Sequence, residues 1–273
     1  MRLLTLTTDI GQQDYLTGAI KGQLLSLSND LNIADITHHL PQQNFPHAAY
    51  ICSNAFKHFP ADAIHVIILN SFEMHARQWL IVKHGGQYIA CPDNGIITMI
   101  TGELPTEMIA LTLDNTLNLL QTTKVLAEAI HQLNNGKTLQ QIGNAPTKIV
   151  ERYPLRPMIS SNWIEGQILF IDNFENVVIN ITQKEFEEQR NGRNFKILYT
   201  RNETIDKISN SYTAVGESET LAWFNSAGYL ELAINKGNIA GLFGLESFNA
   251  KIHEQGTTPQ NKWFYQTVRV FFE

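Results

Sequence analysis

Cysteine is scarce in this chain: 273 residues hold two, Cys52 and Cys91, in unrelated contexts. They supply neither a disulfide framework nor the paired spacing of a metal site, and they suit a reducing compartment. No apolar run approaches the roughly 20 residues of a membrane span, and no basic segment leading into an apolar one opens the chain. The expected location is the cytoplasm, with no membrane partner. Positive charge is also thin, with 20 Lys and Arg scattered among 26 acidic residues for a net charge of -6. That leaves no basic face to neutralise phosphates and excludes nucleic acid as a partner. Glycine-rich phosphate loops are missing too: there is neither a dinucleotide fingerprint nor a P-loop. His38-His39 and His75 have no second His or Cys at ligand spacing, so no metal is expected. What remains is a chain of ordinary apolar content, 43%, without repeats or low-complexity stretches, whose partner should be a small molecule.

Residues 1–150 alternate short β-rich runs with helical periods, the pattern of an α/β domain with a largely parallel sheet. Strands are expected at Leu3–Thr7, Ile33–Ile36, Ile64–Leu69, Trp79–Val82, Tyr88–Cys91 and Met108–Leu113. Helices are expected at Tyr15–Leu27, Phe45–Lys57 and Val125–Leu133, the last stopping at Asn134-Asn135-Gly136. Pro154 and Pro157 interrupt the periodicity in a linker at 151–160. Residues 161–273 then read as short strands joined by Gly- and Asn-containing turns, with one helix near Lys184–Gln189. The strands are Gln167–Ile171, Asn176–Ile181, Phe195–Tyr199, Thr220–Phe224, Tyr229–Ile234, Ala250–Ile252 and Trp263–Phe272. A small antiparallel sandwich or barrel fits that pattern.

Three constellations could carry chemistry. Asp9 and Asp14 flank Gly11 where a strand ends and a helix begins, the usual ligand position in an open α/β sheet. A carboxylate there accepts from ribose hydroxyls, or else the pair orders the turn and caps the helix. Pro92-Asp93-Asn94-Gly95 is a turn whose polar side chains face either a cleft or their own backbone. Ile171-Asp172-Asn173-Phe174-Glu175-Asn176, with Tyr212 and Asn225-Ser226-Ala227-Gly228-Tyr229, combines aromatic faces with amides and carboxylates. Those groups suit a purine or an amino-acid end, or a packed hairpin corner.

In chain order, Thr8-Asp9-Ile10-Gly11 with Asp14-Tyr15, Asp35-Ile36-Thr37-His38, Phe59-Pro60, Pro92-Asp93-Asn94-Gly95, Asp172-Asn173-Phe174 with Asn176, and Ser226-Ala227-Gly228-Tyr229-Leu230-Glu231-Leu232-Ala233 resemble one family. It is similar to the S-adenosylmethionine hydroxide adenosyltransferases, relatives of the fluorinase and chlorinase. The resemblance implies a Rossmann-like N-terminal domain, a smaller β-barrel-like C-terminal domain and a homotrimer with active sites between subunits. It implies no cofactor, with S-adenosylmethionine itself as substrate or ligand. Asp9 would hold the ribose, Asn94 and Asp172 would contact polar groups of the ligand, Phe174 and Tyr212 would face adenine, and Ser226 would take the methionine end. Asp14 and Asn176 complete the implied binding set.

One stretch departs from the family. Its hydroxide members carry an Asp, an Arg and a His near the attacking water; the matching positions here are Asn70, Arg77 and Gln121, so the Arg alone is kept. Asn and Gln orient a water by hydrogen bonds and cannot take its proton at neutral pH. The resemblance therefore implies hydrolysis of S-adenosylmethionine to adenosine and methionine, slowed by the altered acid and base, with Arg77, Asn70 and Gln121 as the reacting set. The alternative is a protein that binds S-adenosylmethionine or adenosine without turnover. Glu73 and His75, close to Arg77, offer a third route by resupplying acid and base, and halide as nucleophile has no positive support.

Overall fold

The computed structural model describes residues 2–71, 78–114, 116–200, 203–246 and 266–273. They divide into two compact units, Met1–Pro154 and Leu155–Glu273.

In the first unit the order is β1 (Leu3–Thr8), α1 (Leu16–Leu27), β2 (Asn32–Thr37), α2 (Phe45–Phe56), β3 (Ile64–Ile68), β4 (Gln78–His84), β5 (Gln87–Pro92), α3 (Ile96–Thr101), β6 (Glu107–Thr112), α4 (Leu119–Asn134) and α5 (Leu139–Ile142). The sheet runs β2-β1-β3-β5-β4-β6. β1 is parallel to β2 and β3, and β3 to β5, whereas β4 is antiparallel to both β5 and β6. The expectation of a largely parallel sheet thus holds for its first four strands. It fails at β4, because Gly85 and Gly86, both at positive φ, turn β4 into a hairpin with β5.

Helices cover both faces, which is why β3 is buried along its whole length. On one face Ile20 and Leu24 of α1 and Leu126, Ile130 and Leu133 of α4 pack over Leu4, Leu6, Val66 and Ile68. On the other, Phe45, Cys52 and Phe56 of α2 and Ile96 of α3 pack over Ile67, Leu69, Leu80 and Cys91. Helix α4 begins six residues before the expected Val125, at Leu119, because a reciprocal capping box nucleates it. The Asn118 side chain accepts from Gln121 N and the Gln121 side chain from Asn118 N.

The second unit contains β7 (Met158–Ser160), β8 (Trp163–Ile171), β9 (Val177–Thr182), α6 (Gln183–Arg190), β10 (Phe195–Leu198), β11 (Thr204–Ile205), β12 (Thr220–Phe224), β13 (Tyr229–Ile234) and β14 (Thr267–Phe272). Its strands pair antiparallel in the order β11-β10-β14-β8-β9-β13-β12, with β7 beside β8. Just past β11, Ile208 bridges Ala222 of β12 and Ser209 N donates to Ala222 O, so the sheet nearly closes into a barrel. Phe186 of α6 enters that barrel's core with its ring edge-on to Phe195, Phe224 and Phe272. The expected strand Ala250–Ile252 and the first residues of Trp263–Phe272 lie outside the described residues.

One buried polar pair stands out in the first core. His65 of β3 is fully buried, its Nδ1 2.8 Å from Thr5 Oγ1 and its ring stacked on Phe56 at 3.8 Å. Burial lowers its pKa to about 4, and burial does the same to His47 on α2. The unfolded chain takes up these protons near pH 6.5, whereas the folded chain resists until about pH 4. Stability should therefore be complete above that window and fall as pH drops through it, by at most roughly 3 kcal/mol per imidazole. Thermal denaturation between pH 7 and 4 checks this: His65→Gln should lose visibly less melting temperature across the window than the parent, with the His47 share left in place.

Candidate functional site

In the first unit the strand order reverses between β1 and β3, the point at which open α/β sheets send neighbouring connections to opposite faces and take their ligands. The residues that leave these strands sit there. Asp9 follows β1, and its Oδ2 accepts from Asn70 N at 2.6 Å. Asn70 follows β3 in a left-handed conformation (φ 51°), one that Asn tolerates better than most residues. The Asn94 side chain is fully buried beneath them: Nδ2 donates to Leu69 O at 2.8 Å and Oδ1 accepts from Ile96 N at 3.2 Å. Three sequence-selected residues from three strand ends, Asp9, Asn70 and Asn94, are thus joined through one short stretch of backbone.

Two flanking devices hold this corner. The first is a strap. Asp93 accepts from Val150 N at 2.8 Å and from Gln78 Nε2 at 2.7 Å, while Arg152 Nε donates to Asn94 O at 3.1 Å with its guanidinium over the Phe45 ring. Gly95 has φ 94°, and a Cβ there would meet Arg152 Cγ at 2.5 Å, so only glycine lets the strap close. The second device is His38, whose Nδ1 lies 3.0 Å from Thr8 Oγ1 and whose Nε2 lies 3.4 Å from Asp35. Burial lowers the His38 pKa although Asp35 opposes it, which favours the neutral ring at pH 7. Backbone bonds from Gly11 N to His38 O and from Leu40 N to Thr8 O clamp the two exit loops together.

Asp14 and Gln121 are engaged in local contacts. Asp14 is exposed and its Oδ1 accepts from Leu16 N at 2.8 Å, an Asx-turn contact just before α1. Gln121 is also exposed, with its Oε1 occupied by the capping box of α4. Arg77, Glu73 and His75 lie outside the described residues.

In the second unit a polar chain gathers at the β8–β9 and β12–β13 turns. Asp172 Oδ1 accepts from Phe174 N and Asn176 N, both at 2.8 Å, an Asx turn that shapes the hairpin. Asp172 Oδ2 accepts from Asn176 Nδ2 at 2.9 Å, and the same Nδ2 reaches Tyr212 Oη at 3.3 Å. Tyr212 donates to Glu231 Oε1 at 2.7 Å, Trp223 Nε1 donates to the same oxygen at 2.8 Å, and Asn225 Nδ2 donates to Oε2 at 3.1 Å. Burial and the Glu231 carboxylate push the Tyr212 hydroxyl pKa well above its usual value, so it stays protonated. The Tyr212 and Trp223 rings lie 4.6 Å apart, and Phe174 is 74% exposed beside this cluster's hairpin. Ser226 is exposed at the tip of the β12–β13 turn. The structure therefore joins Asp172, Asn176 and Tyr212 and adds Trp223 and Glu231 to them. A glutamate in an otherwise apolar strand core, Leu230-Glu231-Leu232-Ala233, was the one available signal for the latter.

A helix-covered sheet with polar residues converging at its strand ends, followed by a nearly closed antiparallel barrel carrying a hydrogen-bonded aromatic and amide cluster, defines a two-unit α/β-plus-barrel protein. Family comparison narrows this. Residues 4–143 match the model of the SAM hydroxide adenosyltransferase N-terminal domain, and residues 166–250 that of the C-terminal domain. The chain belongs to the SAM hydroxide adenosyltransferase family. Among its relatives are proteins named (R)-S-adenosyl-L-methionine hydrolase. The one from Methanocaldococcus jannaschii is 26% identical over 191 residues, covering 67% of this chain and 68% of the relative. The one from Thermus thermophilus is 25% identical over 272 residues, covering 90% and 97%. An uncharacterized conserved protein from Thermotoga maritima shares the fold, with a TM-score of 0.79 at 18% identity over 98% of this chain and 99% of that one.

The geometry around Asn94 makes a direct prediction. Asn94→Ala would leave Leu69 O and Ile96 N without their buried partner, which costs about 1–3 kcal/mol for each group left unsatisfied. Urea denaturation should show a lower midpoint with an unchanged slope.

Proposed function

We propose that this protein hydrolyses S-adenosylmethionine to adenosine and methionine. Water attacks the ribose C5′, the C5′–S bond breaks with its electron pair leaving on sulfur, methionine departs as a neutral thioether, and the water's second proton passes to solvent. The observation that carries the reading is the convergence of Asp9, Asn70 and Asn94 at the strand-order reversal, in a chain of this family. The names of the curated relatives support the same reaction.

In this reading the Asp9 carboxylate accepts from the ribose hydroxyls and fixes the sugar for in-line attack, the contribution of positioning. Asn70, held by Asp9, orients the water; Asn94 is already committed to Leu69 and Ile96 and acts through Asn70 rather than on the ligand. Phe174 and Tyr212 face the adenine, Asp172 and Asn176 supply polar contacts nearby, and Ser226 takes the amino-acid end. Arg77 remains the proposed cation near the water. Asn70 and Gln121 cannot accept the water's proton, so the sulfonium's own leaving ability carries the step and turnover is slow. A homotrimer in the cytoplasm completes the proposal; among the described residues no helix is long and apolar enough to cross a membrane.

Incubation with excess S-adenosylmethionine, followed by chromatography, should release adenosine and methionine in equal amounts over many turnovers, and Asp9→Ala should abolish that release. Protein that keeps its ligand intact through long incubation would instead be a binding protein. Asn70→Asp combined with Gln121→His should raise turnover by roughly 10² to 10⁴, the usual worth of general-base assistance. A double variant no faster than the parent would show that the two amides are not what limits the rate.

A further inference from the structure

The polar chain in the second unit has a direction, because both of its ends are carboxylates. A carboxylate only accepts hydrogen bonds. Asp172 Oδ2 at 2.9 Å therefore requires that the nitrogen, not the oxygen, of the Asn176 amide face it. At the other end Glu231 Oε1 already accepts from Trp223 Nε1, a group that can only donate, and it takes the Tyr212 proton at 2.7 Å. With its hydrogen turned to Glu231, the Tyr212 oxygen meets Asn176 as an acceptor, at 3.3 Å from Nδ2. Both hydrogens of the Asn176 amide are thus taken by protein. Asn176 is 4% exposed, and among the described residues no donor reaches its Oδ1. Turning the amide over would set oxygen against oxygen at both Asp172 and Tyr212.

We propose that Glu231 is a positioning residue for ligand specificity: through Tyr212 it forms, with Asp172, a double lock that keeps the Asn176 oxygen as the group offered to a ligand. The cluster then recognises a donor. Resting on the nucleoside reading above, this selects a purine carrying an amino group at position 6 and rejects one carrying an oxo group there. An oxo purine would bring a second acceptor against Asn176 Oδ1 and leave both desolvated. Glu231 touches no ligand in this scheme.

The test is a comparison of adenosine and inosine binding to the full chain by isothermal titration calorimetry. The wild-type protein should prefer adenosine by at least about tenfold, the effect of one buried acceptor losing its donor. Either lock alone should suffice. Asp172→Asn and Glu231→Met singly should each keep most of the preference, even where absolute affinity falls, and the double variant should lose it, an interaction that a double-mutant cycle isolates. Should the double variant not fold, Asp172→Asn with Tyr212→Phe removes the same link while leaving Glu231 bonded to Trp223 and Asn225, and it too should lose the preference. A merely structural Glu231 would lower affinity for both nucleosides and leave their ratio alone. A preference kept in the folded double variant overturns the lock, as does one lost in Asp172→Asn alone. Wild-type protein that binds both nucleosides equally overturns this inference only; protein that binds neither overturns the nucleoside reading together with it.

Discussion

The hydrogen bond from Asn70 N to the Asp9 carboxylate closes the corner on which the first unit's site depends. It joins the exits of β1 and β3, the two strands between which the sheet order reverses, and it does so at 2.6 Å. An ionised acceptor makes such a bond stronger than a neutral one. It also holds Asn70 in a left-handed conformation, so two residues after β3 the chain turns across the strand ends instead of continuing the strand. The backbone carbonyl just before it, Leu69 O, is taken by the Asn94 amide, and the Asp93-Asn94-Gly95 turn is in turn fastened by the 148–152 strap. Without the Asp9 bond the Asn70 backbone would lose its partner, and the buried Asn94 amide would face a carbonyl free to move.

The second unit solves a comparable problem with a different device. Its cluster surrounds a glutamate that is 3% exposed on β13, on the face opposite the barrel-core residues Leu230 and Leu232, where an unpaired charge would be costly. Three side-chain donors, from Tyr212, Trp223 and Asn225, satisfy it. A satisfied buried carboxylate rigidifies the groups that bond it, and one of them, Tyr212, is a residue that the family resemblance places at a ligand. Binding to such a preorganised cluster loses little side-chain entropy.

How much of this was legible in the chain follows from the range of the forces involved. The strand and helix pattern was readable because apolar runs and three- to four-residue spacing record local burial: Ile64–Leu69 reads as a strand, and β3 spans Ile64–Ile68. Asp9 and Asp172 were readable because short polar residues at strand exits mark turns. The helix start at Leu119 was missed because Asn118-Leu119-Leu120-Gln121 is a capping box built from two amides, and polar Thr123 holds the buried position between Leu119 and Leu126. The strap from Val150 and Arg152 was hidden for another reason. Its bonds reach back more than fifty residues, and Pro154 and Pro157 made that stretch look like a linker.

Composition, periodicity and the ordered short motifs by themselves determined the α/β-then-β-barrel architecture and the family. These depend on residue type and spacing, which the sequence states directly. Only the tertiary structure decided which polar groups are already occupied. It turned the Asn94 amide inward to Leu69, committed the Gln121 side chain to a helix cap, and brought Glu231, Trp223 and Tyr212 to one carboxylate. Occupancy of a donor or acceptor depends on neighbours distant in sequence, and distance along the chain carries no record of them.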